Sequence, residues 1–243
     1  MPQSKPRKAA NKREPAHIKI SRELGTAIVT EHYAPGTILP GEIEIAEQFG
    51  VSRSVVREAL RMLSARGLIV SKPKVGTRVQ PRAAWHLLDP IVLEWSFGSV
   101  PSREFVRSLF ELRMIVEPAA AELAALKKSP RQLATMGHTL EEMARHTLAT
   151  TEGQVADQEF HATLLEAAGN ELLVNLSASI GAAVRWTTYF KFRQNRSPRD
   201  PIEDHRALFA AIAAGNGAEA RAAAITLIET AGSETEQAIG ASG

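Results

Sequence analysis

The sequence predicts a mainly α-helical protein in two parts: an N-terminal helical unit that ends in a small β-hairpin, and a C-terminal all-α helical bundle. Two observations support this fold class. Apolar residues recur at helical spacing along most of the 243 residues. A short alternating stretch near residue 70 contains a basic turn with a glycine, which is typical of a hairpin.

The charge is distributed unevenly between the two parts. Residues 1–82 contain 15 Lys and Arg against 7 Asp and Glu, whereas residues 83–243 contain 14 against 20. A basic N-terminal part indicates a polyanionic partner, although a basic solvated surface would give the same count. The two parts are therefore expected to have separate duties.

The composition excludes several kinds of site and membrane attachment. The chain has no Cys, so disulfides and thiolate metal sites are not available. No window approaches the roughly 18 apolar residues of a membrane span, and no apolar segment follows the basic N-terminus. We expect a cytoplasmic protein. Residues 1–16 are rich in Lys, Arg and Pro with few apolar residues, which predicts a disordered basic arm.

Residues 17–82 are predicted to form three helices followed by a hairpin. Helical spacing covers residues 18–32, a second helix covers about 42–49, and the third runs from the predicted N-cap Ser52 to just before Gly67. An apolar stripe marks the buried face of the third helix and consists of Val56, Ala59, Leu60 and Leu63. Residues 68–79 then form the hairpin. This order of elements is that of a winged helix-turn-helix.

Basic residues lie on the opposite face of the third helix. Arg53, Arg57 and Arg61 are spaced by four residues, so they share one face that turns away from the apolar stripe. The N-terminal residues of a recognition helix lie nearest the base edges. We therefore expect Arg53, Ser54 and Arg57 to read bases and Arg61 to contact phosphate, while solvated surface charge remains the alternative. Further DNA contacts are predicted at the hairpin tip: Lys72, Lys74, Gly76 and Thr77.

The N-terminal part resembles the winged helix of the GntR family over residues 18–79. The matching residues are Leu39-Pro40, Glu42, Ala46, Gly50 to Arg53, Val56 to Leu60, Leu63, Gly67 to Ile69 and Gly76-Thr77. The resemblance implies a homodimer on a palindromic double-stranded operator, with Arg53 and Arg57 as recognition-helix arginines and the wing near the minor groove. Two departures stand out: Ile43 replaces an Arg of the family, and the wing lacks the second glycine and the aromatic residue.

The rest of the chain is predicted to be a connector followed by helices. Residues 83–100 form an apolar connector that contains Trp85 and Trp95 and is interrupted at Asp89-Pro90. Hydrophobic packing between the two domains is enough to explain its two tryptophans. Residues 101–243 show helical periodicity with breaks that separate five to six helices. An all-helical domain is therefore expected from residue 101 onwards.

Three side chains in this second part are candidate metal ligands. Asp157 and His161 are one helical turn apart on one face, and His205 opens a later helix. Carboxylate and imidazole are common ligands for divalent metals. An Asp and a His at this spacing are also typical of a surface ion pair or of a buried, hydrogen-bonded His. The spacing alone leaves these alternatives open.

The all-helical half resembles the FCD class of GntR effector domains, and the connector resembles that of its galactonate and sugar-acid branch. This resemblance implies that Asp157, His161 and His205 hold a divalent metal such as Zn, Ni or Mn beneath a small carboxylate effector. It also implies that Arg113 binds the effector, although a helix pair of Arg113 with Glu117 is the alternative. Many members of this class supply a further His from the intervening helix, but residues 182–186 offer none. The alternatives to a metal are therefore an empty site or Arg185 pairing directly with the effector carboxylate.

We interpret the sequence as a DNA-binding transcription regulator, a repressor by family expectation, that responds to a carboxylate effector, with a sugar acid as the leading expectation. One rival is a metal-dependent enzyme that uses Asp157, His161 and His205 to activate water. The sequence contains no phosphate-binding glycine loop, nucleophile elbow or His-Glu-x-x-His motif, and we therefore expect that the protein is not an enzyme. A purely architectural DNA binder without a ligand is the second rival.

Overall fold

The structure is a computed structural model that describes residues 14–194 and 198–240. The chain divides into two compact units, Met1–His86 and Leu87–Gly243. The disordered arm was predicted for residues 1–16, and residues 1–13 of it lie outside the described part of the chain. The described part is mainly helical with one two-stranded sheet, which confirms the predicted fold class.

In residues 14–86, the first unit contains three α-helices and a hairpin. They are α1 (Ala16–Val29), α2 (Glu42–Phe49), α3 (Arg53–Ala65), β1 (Ile69–Lys72) and β2 (Gly76–Val79). The two strands are antiparallel, with Ile69 opposite Val79 and Lys72 opposite Gly76. Apolar side chains spaced along the helices are fully buried and form the core: Ile20, Ile28, Ile45, Val56 and Leu63. The predicted stripe of α3 is therefore its buried face.

The turn between α2 and α3 has Gly50 and Ser52 at their predicted capping positions. Gly50 has a left-handed backbone with φ 63°, which a residue without a Cβ adopts without steric cost. Ser52 occupies the N-cap position of α3, yet its hydroxyl makes no cap bond to the backbone. It lies 2.8 Å from the hydroxyl of Ser54 instead. Ser52 is therefore the N-cap residue, as predicted, but its hydroxyl contacts Ser54 and not the helix backbone.

The second unit consists of seven helices in its described residues. They are α4 (Pro90–Gly98), α5 (Arg103–Lys127), α6 (Pro130–His146), α7 (Thr151–Ala167), α8 (Glu171–Gln194), α9 (Ile202–Ala214) and α10 (Gly217–Gly240). Helix α7 packs between α6 and α8, and α5 packs along α10. The core beneath them includes Met136, Phe160, Leu164, Leu208 and Ile212. None of the described helices combines the length and the apolar content that a membrane crossing requires.

The predicted connector is partly helical. Asp89-Pro90 does not interrupt it but begins α4, because Pro90 takes the first helical position and the Asp89 carboxylate accepts hydrogen bonds from the backbone N–H groups of Ile91 and Val92. Helix α4 packs on α8 of the same unit. The expected break is therefore a helix start, and residues 87–98 belong to the second unit.

Candidate functional site

The exposed face of α3 presents the predicted row of arginines. Arg53, Arg57 and Arg61 are all exposed, whereas Val56 and Leu63 on the other face are fully buried. Ser54 is also exposed beside Arg53. Because α3 is 13 residues long, a row spaced by four covers most of its length. The structure thus places the four predicted residues of α3 on one solvent-facing surface.

Glu42 pairs with the first two arginines of the row. Its carboxylate accepts a hydrogen bond from Arg57 Nε at 2.9 Å, and Arg53 lies 3.5 Å from the same oxygen. The side chains of both arginines are 56% exposed, so these pairs are weak and solvated. Sequence reasoning matched Glu42 to the family motif without assigning it this role. Only the fold brings the start of α2 next to the exposed face of α3.

The hairpin tip is exposed and its shape depends on two left-handed residues. Lys74 has φ 62° and Gly76 has φ 98°, and Lys72, Lys74 and Gly76 are all exposed. A Cβ on Gly76 would lie 3.3 Å from the side chain of Ile38, so both the backbone and the space favour glycine there. Thr77 is half-buried, and its hydroxyl lies 2.9 Å from that of Ser71. Of the four predicted wing residues, Thr77 is the least available to a ligand.

In the second unit, the three candidate metal ligands converge. Asp157 and His161 come from α7 and His205 from the first turn of α9, and all three are buried. The Nε2 atom of His205 lies 3.1 Å from Asp157 Oδ1 and 3.4 Å from His161 Nε2. His161 Nε2 is 3.6 Å from the same carboxylate oxygen. The sequence predicted the set, and the fold brings its members together.

Neighbouring groups fix the orientation of both imidazoles. Nδ1 of His161 donates to the Glu117 carboxylate, and Nδ1 of His205 donates to the backbone carbonyl of Pro201 at 3.0 Å. When a ring is neutral with its proton on Nδ1, its Nε2 carries a lone pair on the side of Asp157 and can bind a metal, whereas the imidazolium form of His205 donates from Nε2 to Asp157. This arrangement of a histidine held by an outer carboxylate or carbonyl is typical of metal ligands. Thr188 completes the surroundings by donating to the other Asp157 oxygen at 3.1 Å.

The donor set fits a divalent metal. For metal–ligand bonds of about 2.1 Å, two ligand atoms lie about 3.0 Å apart at a right angle and about 3.4 Å apart at a tetrahedral angle. The three observed separations of 3.1, 3.4 and 3.6 Å are close to these values. Two imidazole nitrogens and one carboxylate oxygen suit Zn, Ni or Mn alike. The described part of the chain therefore contains a three-ligand candidate site.

Arg113 and Glu117 lie beside these ligands as a buried ion pair on α5. Arg113 Nε donates to Glu117 at 2.6 Å, and both side chains are at most 3% exposed. Burial acts to raise the pKa of Glu117, but the charges and hydrogen bonds of Arg113 and His161 outweigh it and lower that pKa to about 2. Glu117 is thus a carboxylate that joins Arg113 to His161. Sequence reasoning identified the Arg113 pair but not the contact with His161.

The same electrostatic balance holds at Asp157 and His205. Burial acts to raise the pKa of Asp157, but the hydrogen bond and charge of His205 outweigh it and lower this pKa to about 2. Burial acts to lower the pKa of His205, yet the bond to Asp157 raises it overall. The carboxylate of Asp157 therefore stays charged and attracts a cation, which can be a metal or the imidazolium proton.

A small cavity adjoins this group of side chains. It is lined by Arg113, Leu148, Asp157, His161, Val184, Thr188, Lys191, Pro201, His205, Leu227, Thr230, Ala231 and Glu234. Its volume, about 20 Å³, has room for a water molecule but is far below the several hundred Å³ of a usual ligand pocket. The cavity is therefore closed to a sugar-sized molecule in this conformation.

The lining of the closed cavity does not include the predicted Arg185 and adds two charged residues. Arg185 is not part of this lining, and its guanidinium lies 5.4 Å from the ring centre of Trp186. Helix α8 instead presents Val184, Thr188 and Lys191, which are spaced by four and three residues on one face. Lys191 and Glu234 were missed because only the rotation of α8 and α10 in the bundle shows which face is inward.

Comparisons with known proteins agree with the two units. The model described as bacterial regulatory proteins of the gntR family matches residues 18–79, and the FCD domain model matches residues 108–230. The chain belongs to the GntR family and carries an FCD domain. Curated relatives include the galactonate operon transcriptional repressor of Escherichia coli, which is 35% identical over 84% of this chain and 90% of its own length.

Other relatives of this GntR/FCD protein carry regulator names. LutR of Bacillus subtilis is 34% identical over 78% of this chain and 87% of its own length. An Uxu operon regulator of Haemophilus influenzae is 30% identical over 85% of this chain and 77% of its own length. Among solved structures, Lar is described as controlling the expression of the Listeria monocytogenes agr system. It has a TM-score of 0.67 at 20% identity, and the match covers 93% of this chain and 99% of Lar. This last likeness concerns the fold. The comparisons give no support to the metal-dependent enzyme.

Proposed function

We propose that this GntR/FCD protein is a sequence-specific repressor that binds double-stranded operator DNA as a homodimer and releases it on binding a small carboxylate, a sugar acid. Residues 17–82 bind the DNA, residues 83–100 connect the two domains, and residues 101–243 bind the effector and form the dimer. One observation carries the DNA-binding half: the exposed row of Arg53, Arg57 and Arg61 lies opposite the fully buried stripe of α3. The buried stripe packs α3 on its own unit and leaves the arginines free to enter a major groove.

The DNA contacts divide into base readout and phosphate binding. Arg53, Ser54 and Arg57 lie in the N-terminal half of α3 and contact base edges, with guanine as the preferred partner of a bidentate Arg. Arg61, further along the helix, contacts phosphate. Lys72 and Lys74 at the exposed hairpin tip, with the backbone of Gly76 and Thr77, bind the sugar-phosphate backbone at the groove edge.

The effector half rests on the buried group around Asp157. This residue, His161 and His205 hold a divalent metal, which supplies positive charge for the carboxylate and hydroxyl oxygens of the effector. Arg113, which lines the same cavity, donates to the effector carboxylate. The names of the galactonate operon repressor and the Uxu operon regulators support a sugar acid as the effector. Arg185 lies outside the lining of the closed cavity, so it contacts the effector only if the widened form brings it in.

The closed cavity suggests how effector binding changes the protein. A cavity of about 20 Å³ must widen before a sugar acid enters, so the effector binds a more open arrangement of the helices that line it. Four of these lining residues, Leu227, Thr230, Ala231 and Glu234, belong to α10. The effector therefore shifts the population towards the open form, and we propose that this form binds the operator more weakly.

The test begins with the purified full chain and a selection from random duplex DNA. Light scattering should give the mass of a dimer, and the selected sequences should be palindromic with half-sites about one helical turn apart. A panel of sugar acids and hydroxy acids is then added to the complex, with and without Zn, Ni or Mn. We expect at least one acid to release the DNA in a metal-dependent manner. Binding without sequence preference, or release by none of the acids, would refute the corresponding half of the proposal.

A further inference from the structure

Lys191 and Glu234 form a second, partly buried ion pair at the cavity, apart from the metal ligands and Arg113. Lys191 Nζ donates to Glu234 at 2.7 Å and joins α8 to α10. The Lys191 side chain is 5% exposed, while that of Glu234 is 20% exposed. Both residues line the cavity that holds Asp157, His161 and His205. An effector bound there meets both side chains.

The ammonium of Lys191 has donors to spare. A lysine offers three N–H bonds, and Glu234 is the acceptor for one of them. Within residues 14–194 and 198–240, Lys191 has no second hydrogen-bond acceptor. A buried donor without a partner is costly, and a ligand oxygen in the cavity would satisfy it. Lys191 is therefore prepared to bind an oxygen of the effector while it keeps its bond to Glu234.

The charges around the cavity favour a single extra anion. Asp157, Glu117 and Glu234 carry three negative charges, and Arg113 and Lys191 carry two positive ones. A divalent metal with neutral histidines leaves the group with one net positive charge, which one carboxylate neutralises. A second carboxylate would leave a net negative charge in a buried space, where unpaired charge is strongly disfavoured.

We propose that Lys191 and Glu234 select monocarboxylates that carry a hydroxyl chain over dicarboxylates of the same length. This inference rests on the proposed effector function. The effector carboxylate is held at the metal and Arg113, and Lys191 donates to a hydroxyl of the chain. Glu234 neutralises the positive charge of Lys191, and its own negative charge repels a second carboxylate. Aldonates are thus accepted and aldarates are rejected.

The test compares acids that differ only at the far end of the chain. Galactonate and galactarate form one pair, and gluconate and glucarate form another. Binding is measured by calorimetry and by thermal shift on the full-length, metal-loaded dimer. We expect the wild type to bind at least one aldonate at least tenfold more tightly than its aldarate. In Glu234→Gln this ratio should fall at least tenfold, because the like-charge repulsion is removed.

A second variant tests the lysine. Lys191→Met keeps most of the side-chain stem but removes the donors, so it should weaken the aldonate at least fivefold relative to lactate, whose single hydroxyl lies beside its carboxylate. Glu229→Gln is the matched control, because Glu229 is exposed on the same helix and does not line this cavity. Its aldonate-to-aldarate ratio should equal that of the wild type.

The outcomes separate this inference from the proposed function. If an aldonate binds but Glu234→Gln leaves its preference over the aldarate unchanged, the selection by Glu234 is wrong and the acid effector stands. The proposed selection would also be wrong if the wild-type protein bound the aldarate more tightly than the aldonate. If no acid binds the wild type while operator binding is intact, the effector half of the proposed function fails, and this inference fails with it.

Discussion

The charged side chains of the two candidate sites differ in their exposure to solvent and in their pairing. Arg57 on α3 has a 56% exposed side chain and shares one half-buried acid, Glu42, with Arg53. Arg113 on α5 is 3% exposed, and its partner Glu117 also binds His161. The first site is an open surface whose charges are weakly paired. The second is a closed group in which Arg113 and Glu117 pair away from solvent.

This difference indicates how each site meets its ligand. An exposed ion pair contributes little, so DNA phosphates and bases can replace Glu42 at small cost. A buried ion is costly to leave unpaired, so an effector has to offer oxygens that match what it displaces. The open surface therefore suits a large polyanion, and the closed group suits discrimination among small acids.

The largest expected effect comes from breaking the closed group. Glu117→Ala leaves Arg113 buried without its carboxylate and His161 without its acceptor, so it should lower the free energy of unfolding by about 3 to 5 kcal/mol. Glu122→Ala on the same helix is the control, because Glu122 pairs with Arg221 at 3.1 Å but is 46% exposed. Its effect should stay below about 1 kcal/mol. Urea denaturation followed by circular dichroism measures both, and equal destabilisation by the two variants would contradict the contrast.

The next effect concerns base readout at the open surface. Arg57→Ala should reduce the preference for operator over unrelated duplex by about 1 to 3 kcal/mol, because the bidentate Arg–guanine hydrogen bonds are removed. Its unfolding free energy should hardly change, since the side chain is exposed. Fluorescence anisotropy with both duplexes gives the ratio, and Arg206→Ala, exposed in the second unit, serves as the control. An unchanged ratio would remove Arg57 from base readout.

The wing should affect all sequences alike. Replacing Lys72 and Lys74 together with Ala should reduce the slope of log affinity against log salt by about one unit for each phosphate that the wing no longer neutralises. Operator and unrelated duplex should weaken by the same factor, because phosphates carry no sequence information. The measurement is a salt titration of binding to both duplexes. Weakening confined to the operator would show that the wing reads bases.

The smallest effect tests the pairing at Glu42. Glu42→Gln removes the charge that competes with DNA for Arg53 and Arg57, so affinity for every duplex should rise by up to about 1 kcal/mol, or about fivefold. Glu47→Gln, exposed on the same helix, should have a smaller effect. Anisotropy titrations at low salt measure this increase. Weaker binding would mean that Glu42 is needed to orient the arginines.

The sequence predicted the open surface more completely than the closed group. The period of α3 alone separates Val56 and Leu63 from Arg53 and Arg57, because a helix places residues four apart on one face. The same rule predicts that Asp157 and His161 share a face. It cannot predict contacts between distant segments.

Those distant contacts explain what was missed. Glu117 meets His161 across 44 residues, and Lys191 meets Glu234 across 43. Both contacts depend on how α5, α8 and α10 rotate about their axes when they pack, and no local pattern fixes that rotation. For this reason the sequence named Arg185 as a candidate, whereas the fold presents Lys191 from the next turns of α8 to the closed cavity.

We propose that one buried group of ligands controls the affinity of the protein for DNA. The most direct test measures operator affinity with and without the releasing acid for wild type and His161→Ala, together with the metal content of each. We expect the variant to lose metal and its response to the acid while its operator affinity without the acid stays within about twofold of wild type. A metal-free wild type and a variant that still releases DNA normally would contradict the account.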